Sequence, residues 1–554
     1  MIGNLLLVFS AVILNGHDLK IAGDKYDMNW ALSLGQYEWI QESDLWPTWG
    51  ETFQDGEDIV QRFTFPHDGK THRIAIPFND NYPGAEECVT KRCHAHIWPG
   101  GTNGWVCAIR MGGKVPHLGL MITKGSFDGY AITKRGSKFG GSNFRGVIIL
   151  LTKSNELEWR IFSHTGWDDF KSKLIQKGGT WVDYVPPADL PDFDTVLKKR
   201  LDFILENQVY HNPEDIRDGA LIPYDNETKK QYCGWLQEPV ISDRSEGRER
   251  VGMGILLAEA MRHGYTHPKA ETTLRNYLEY VHRALQDDKF RVKGAADDKK
   301  KFRIYNFAWV TRLYFDAYET LGDEKYLDWG YNTAMAAFKT GGYNFYMIDF
   351  PILQSIRLLE NSHVEVERGR AKLLRAELEK WASNIAKNGL NVPKFEVKYE
   401  QSIIAPAANT MAEMYLLTHD EKYLAAAKVL LPAVEAFNGH QPDIHLNDVG
   451  IRHWDGYWFG KRRVWGDTFP HYWSAITADF FRHWALITGD KSYQRRAENI
   501  IRAQYSLFND DGSAGCAYLY ADEYDGKPGK FLDPLANDQD WALVFGVRVF
   551  SEDK

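Results

Sequence analysis

Hydrophobic and polar positions change period once along this chain. Up to about Gly179 the apolar positions form short runs or alternate with polar ones. RIAIPF (Arg73–Phe78), WVCAIRM (Trp105–Met111), HLGLMITKG (His117–Gly125), GVIILLT (Gly146–Thr152) and LEWRIFSH (Leu157–His164) are the clearest. Gly, Pro, Asn and Asp punctuate them, as in GGTNG and KFGGSN, which is the pattern of antiparallel strands joined by turns. Several such strands in succession predict a β-sandwich. The proline-rich segment WVDYVPPADLP (Trp181–Pro191) ends this region. From Asp192 onward the apolar spacing becomes helical. It predicts about twelve helices, near 192–208, 245–264, 267–286, 303–321, 323–338, 348–361, 364–388, 401–417, 420–437, 470–488, 490–507 and 536–550.

A corner recurs between these helices. LGDEKYL (Leu321–Leu327) returns as THDEKYL (Thr418–Leu424) and TGDKSY (Thr488–Tyr493), with GYTHPKA (Gly264–Ala270) a looser relative. The Gly or His suits the last turn of one helix, and the Asp suits the N-cap of the next. Such self-similarity predicts an array of helical hairpins. The repeats are unequal in length, and the long insertions fall opposite the short corners, which favours a closed ring over an open solenoid. The reading is therefore a multidomain α+β chain: residues 1–16 a candidate signal peptide, 17–180 an antiparallel β-sandwich, and 181–554 an (α/α)6 toroid of six helical hairpins. This organisation resembles the six-hairpin carbohydrate-active enzymes, which include hydrolases, phosphorylases and polysaccharide lyases.

Composition narrows the partners. The 554 residues carry a net charge of −9, and the aromatics are not embedded in Lys/Arg runs, so nucleic acid is not an expected partner. Aromatic content is 14%, with 19 Trp and 28 Tyr, which suits stacking on sugar faces as well as an aromatic core. The apolar run Leu5–Leu14 has the length of a signal-peptide core and is too short to cross a bilayer. No Lys or Arg precedes it, and a buried strand is the alternative. The expectation is export, secreted or periplasmic, with no membrane span. The five cysteines are too few and too scattered for a disulfide framework, although Cys88 and Cys93 are near enough in sequence to bridge. With His94 and His96 they match no standard zinc spacing. Nucleotide-binding, acyl-transfer and zincin signatures are not evident, so neither cofactor nor metal is expected.

Candidate chemistry lies in four segments that a ring of hairpins would gather at its long-loop end. The first is Val209–Ile241, which holds Trp235 and leads into SDRSEGRER (Ser242–Arg250). Ser242, Asp243 and Glu246 suit a helix start, but Arg244, Arg248 and Arg250 stand against the helix dipole. They call for an anion, either the neighbouring Glu246 and Glu249 or a uronate carboxylate. The second is FRIYNFAW (Phe302–Trp309), with Tyr305 and Asn306 as polar wall residues. The third is Gly439–Trp473, with His440, His445, His453 and His471, Asp443, Asp448, Asp455 and Asp467, and Trp454, Trp458, Trp465 and Trp473. It is too long for a bundle connection, and such loops are usually functional. Pro470 suits the first turn of the following helix, which brings Asp467, His471 and Tyr472 to the funnel mouth. The fourth is DPLANDQDWAL (Asp533–Leu543), with Asn537, Asp538 and Asp540.

The segments TFPHYWSAITADFF and DPLANDQDWAL resemble lyases that release rhamnose from rhamnosyl-glucuronate side chains of arabinogalactan and gum arabic. That resemblance implies β-elimination on a uronic-acid glycan. Arg244 and Arg248 would neutralise the carboxylate, and His471, Tyr472 and His453 would supply base and acid, with Glu246 and Asp467 beside them. Arg248, Trp235, Tyr305, Asn306, Trp454, Trp465, Asn537 and Asp540 would hold the glycan. A glycoside hydrolase on the same scaffold, using two carboxylates, is the alternative. A non-catalytic glycan binder would account for the tryptophans but not for the crowding of titratable groups.

Overall fold

The structure is a computed structural model that describes residues 20–21, 24–25, 49–77, 89, 93–133, 147–233, 245–298, 301–393, 396, 399–451, 460–462, 470–524 and 526–551. Its N-terminal part is built from β1 (Trp49–Asp55), β2 (Asp58–Thr64), β3 (His72–Pro77), β4 (Cys93–Trp98), β5 (Trp105–Arg110), β6 (His117–Lys124), β7 (Gly129–Thr133), β8 (Val147–Thr152) and β9 (Glu156–His164). One antiparallel sheet runs β1-β2-β9-β6-β5-β4. The second places β8 between β3 and β7, and two short strands from near the C-terminus, β10 (Glu523–Tyr524) and β11 (Lys527–Pro528), extend it. β10 lies parallel to β7, so the end of the chain returns to the sandwich.

Alternation explains the sandwich core. Leu157, Trp159 and Ile161 on β9 face inward and meet Ile59 and Phe63 of β2, Leu118 and Leu120 of β6 and Leu150 of β8. The indole of Trp159 keeps its polar atom satisfied by donating to Gln61 Oε1 at 2.6 Å. A helix, α1 (Trp167–Gln176), follows the last of these strands and was not foreseen, being one short run inside a β-patterned region. It buries Phe170 and Leu174 against Trp105, Met121 and Phe162 on the outer face of the first sheet.

Helices α2 (Phe193–Asn207), α3 (Val251–Arg262), α4 (Ala270–Tyr280), α5 (Ile304–Leu321), α6 (Glu324–Lys339), α7 (Ile352–Asn361), α8 (Glu365–Asn388), α9 (Gln401–Thr418), α10 (Glu421–Phe437), α11 (Tyr472–Thr488), α12 (Lys491–Ala503) and α13 (Asp540–Phe550) form the second part. The odd-numbered helices from α3 onward are inner and the even-numbered ones outer. Each inner helix packs on the next, and α13 packs on α3, which closes the ring. Composition follows position: α3 and α9 are buried along nearly their whole length, whereas α12 buries only Ala497, Ile500, Ile501 and Ala503. The predicted starts at 245 and 536 move inward to Val251 and Asp540. Arg248–Arg250 form a separate 3-10 turn, and Leu535–Ala536 pair as a strand with Tyr224–Asp225.

The repeated corners join inner helices to outer ones. Gly322, His419 and Gly489 take the left-handed position at φ 70°, 54° and 72°. Asp323, Asp420 and Asp490 then cap α6, α10 and α12 through the backbone N–H two residues on. Within the ring, charged side chains from different inner helices replace an apolar axis. Arg548 of α13 meets Glu259 of α3 and Asp349, each at 2.6 Å, and Arg312 of α5 meets Asp349 at 3.0 Å. Glu413 of α9 and Asp479 of α11 belong to the same buried group, and Asp479 accepts a hydrogen bond from Asn409 at 3.0 Å.

Candidate active site

Because every corner joins an inner C-terminus to an outer N-terminus, the inner helices all start at the other end of the ring. Arg303 stands at the N-cap position of α5, Glu400 of α9, His471 of α11 and Gln539 of α13, and the Arg248–Arg250 turn leads into α3. Backbone N–H groups and positive dipole ends therefore gather at that end of the ring, which favours anions.

Glu249 is at the centre of its charge network. One oxygen meets Arg303 Nη2 at 3.0 Å, and the other meets Arg250 Nη2 at 3.4 Å. Burial alone would raise this carboxyl, but Arg303, Arg250 and Arg248 override it and hold it down at about 2. Arg250 is fully buried and donates on to Asn537 Oδ1 at 2.8 Å. Arg303 keeps 30% of its side chain exposed. Asn306 braces it, accepting from Arg303 Nη1 at 2.9 Å and donating to the Lys293 carbonyl at 2.9 Å. Arg248 is part-exposed and adopts φ 55°, a strained conformation for a residue with a Cβ.

Next to Asn537 lies Asp538, whose Oδ2 is 3.4 Å from His471 Nε2. His471 Nδ1 accepts the backbone N–H of Trp473 at 3.2 Å as the cap of α11. With Nδ1 accepting, the neutral imidazole carries its proton on Nε2, the nitrogen that faces the buried Asp538. The Tyr472 ring lies 4.9 Å from His471. Burial pushes its phenol well above the usual tyrosine range, with Glu249 and Asp538 adding to the rise, so it stays protonated. Burial and then Glu396 do the same to Tyr305, which donates to Glu396; the backbone N–H of Tyr346 donates to that same carboxylate.

The sequence-predicted residues thus divide. His471, Tyr472, Arg248, Tyr305, Asn306 and Asn537 come to the funnel end. Glu246 lies there too but is buried as a loop fastener: its Oε1 accepts the Ala296 N–H at 2.5 Å and has Arg217 Nε at 3.6 Å. Burial raises its carboxyl. It is not in the first turn of a helix, because α3 begins only at Val251. Asp540 is corrected from a glycan contact to a structural ion pair, held at both oxygens by Arg200 of outer helix α2 at 2.6 and 2.9 Å. Trp235, Arg244, His453, Trp454, Trp465 and Asp467, like Cys88, lie outside the described residues.

The described start of the long Gly439–Trp473 segment serves the fold. His445 pairs with Asp443 at 2.8 Å and stacks on Tyr518 at 4.7 Å, while Leu446, Val449 and Ile451 enter the sandwich core. Asp448 is held by Arg496 of α12 at 2.8 Å. The first third of the segment therefore joins sandwich to ring. Sequence reasoning missed Arg303, Glu396 and Glu400. Arg303 and Glu400 were accessible in principle, as the residues immediately before inner helices. Among the described residues no cluster of three or more His, Cys, Asp or Glu is arranged to hold a metal, and no helix is long and apolar enough to cross a membrane.

A sandwich followed by a closed ring, with arginines, acids and a histidine on its open end, defines a carbohydrate-active toroid enzyme. Comparison with solved structures makes this specific. The chain is similar to a polysaccharide lyase, with 36% identity and a TM-score of 0.84, over 96% of this chain and 89% of that one. It therefore belongs to the polysaccharide lyases. More distant structures include a D-mannose isomerase, at 12% identity and TM-score 0.43, covering 66% of this chain and 99% of that one. A family 76 α-mannanase of Bacteroides thetaiotaomicron has 14% identity and TM-score 0.42, covering 65% and 95%. No family model and no curated protein matches the chain.

Proposed function

We propose that this lyase cleaves a uronic-acid glycan by β-elimination, with the uronate carboxylate held by Arg303 and Arg248. The supporting observation is the part-exposed Arg303 linked through Glu249, Arg250 and Asn537 to a buried His471–Asp538 couple. Neutralising the carboxylate acidifies the proton on C5. A base removes that proton, the C5–H electron pair forms the C4=C5 double bond, and the C4–O4 bond breaks. The departing O4 takes a proton from Nε2 of His471 after the imidazole has picked up a second proton, the imidazolium being the form that the Asp538 carboxylate favours. Tyr472, kept protonated by burial, is the second donor. His453 remains the candidate base, as its residue type and the resemblance suggest. The favoured substrate is a rhamnosyl-glucuronate end, and the site of action is outside the cell. The protein incubated with gum arabic should generate the ultraviolet absorbance of a 4,5-unsaturated uronate together with free rhamnose. Rhamnose without that absorbance would identify a hydrolase and end the elimination reading.

A further inference from the structure

We propose a second glycan site, for a neutral oligosaccharide, in the cleft between the sandwich and the outside of the ring. The cleft measures about 1130 Å³, just above the ~300–1,000 Å³ typical of ligand sites. One wall is the start of α1 and the segment after it, with Trp167, Trp181 and Tyr184; the other is α10, α12 and the loop carrying His440 and Asp448. It lies along outer helices, and no residue of the funnel network lines it.

Three observations point to a hydroxyl-rich, uncharged ligand. First, Trp167 Nε1, the Tyr184 hydroxyl and Arg496 Nη2 are buried and have no hydrogen-bond partner among the described residues. They are closed to solvent as they stand, so a ligand reaches them only by turning side chains at the cleft wall; the indole and guanidinium then take acceptor oxygens and the phenol takes either partner. Second, aromatic surface is abundant: Trp167, Trp181, Tyr184 and Tyr493 suit the apolar faces of sugar rings. Third, the charge opposes an acidic ligand. Six carboxylates line the cleft against four Lys and Arg side chains. The most buried cation, Arg496, already meets Asp448 at 2.8 Å and Glu435 at 3.0 Å. Burial lowers His440 to about 4, so it adds no positive charge near neutrality. A uronate would face net repulsion here, whereas the funnel presents arginine. The cleft therefore suits neutral stretches of the glycan whose acidic part the funnel takes.

The test uses gum arabic with its uronates carboxyl-reduced to neutral hexoses, which removes the group the funnel is proposed to bind. In affinity electrophoresis the reduced polymer should retard the wild-type protein. Ser492→Trp, which fills the cleft from the half-buried first turn of α12, should abolish that retardation, and Tyr184→Phe should weaken it. Both variants should keep the wild-type melting temperature and the wild-type kcat on a short acidic substrate. Unaltered retardation of a folded Ser492→Trp variant would overturn the proposal. So would a wild-type protein retarded only by the unreduced polymer, or by neither. Because the readout is binding of a uronate-free polymer, it stands or falls separately from the elimination chemistry.

Discussion

At the residue scale, His471 carries two duties that a single substitution can separate. It caps α11 through Nδ1 and faces Asp538 through Nε2. Alanine would remove both, at about 1 kcal/mol for the cap alone. Asparagine is a good cap residue but exchanges no proton at neutral pH. His471→Asn should therefore keep a near-wild-type melting temperature while kcat falls by ~10²–10⁴. A folded His471→Asn variant with near-normal turnover would remove His471 from the chemistry and leave it as a cap. Glu249 illustrates the opposite case: with Arg303 and Arg250 as direct partners, it is an organising anion rather than a proton carrier.

At the element scale, the corner motif works as a local device. Its first residue accepts left-handed backbone, and its Asp receives the next helix's backbone N–H, at 3.2 Å for Lys325, 3.0 Å for Lys422 and 2.9 Å for Ser492. His419 fills at φ 54° the place that Gly322 and Gly489 fill elsewhere, and a Cβ is disfavoured there by ~1–2 kcal/mol. His419→Gly should thus stabilise the protein, partly offset by the glycine's extra freedom when unfolded, and Gly322→Ala should destabilise it by about 1 kcal/mol. Asp420→Ala should cost about 1 kcal/mol through the lost cap. Thermal unfolding of the three variants checks the signs; equal shifts in one direction would contradict the corner account.

At the scale of the whole molecule, the ring is held across its interior by charge as well as by packing. Glu413 lies in that interior, where burial first, and Asp479 next, raise its carboxyl from 4.5 to about 8 against the pull of Arg312. A carboxyl with a raised folded value holds its proton in the folded state when the unfolded chain has already released it. Its contribution therefore turns unfavourable as pH climbs from about 4.5 to about 8 and is constant above that. Glu413→Gln should become progressively more stable relative to wild type over that window, read as melting temperature at pH 5, 6.5, 8 and 9. A stability difference that is flat with pH would show that Glu413 is ionised in the folded ring.

What the sequence determined by itself was whatever is written in short-range spacing. Period-two runs such as LEWRIFSH make strands, helical spacing makes hairpins, and a Gly-Asp or His-Asp corner sets the turn and cap within a few residues. Those forces act between neighbours, so the sandwich, the ring and the end at which its inner helices start were legible. Residues immediately before an inner helix, His471 among them, could be placed at the funnel for the same reason. The pairing of charges was decided only in three dimensions. Arg250 meets Asn537 across 287 positions, and Arg200 claims Asp540 across 340, turning an expected glycan contact into an internal ion pair. Nor did the crowded polar composition of Gly439–Gly450 reveal that its His445 and Leu446 serve the sandwich. A side chain's chemistry is fixed by its type, but whether it faces substrate or another buried charge depends on which distant helix the closed ring sets beside it.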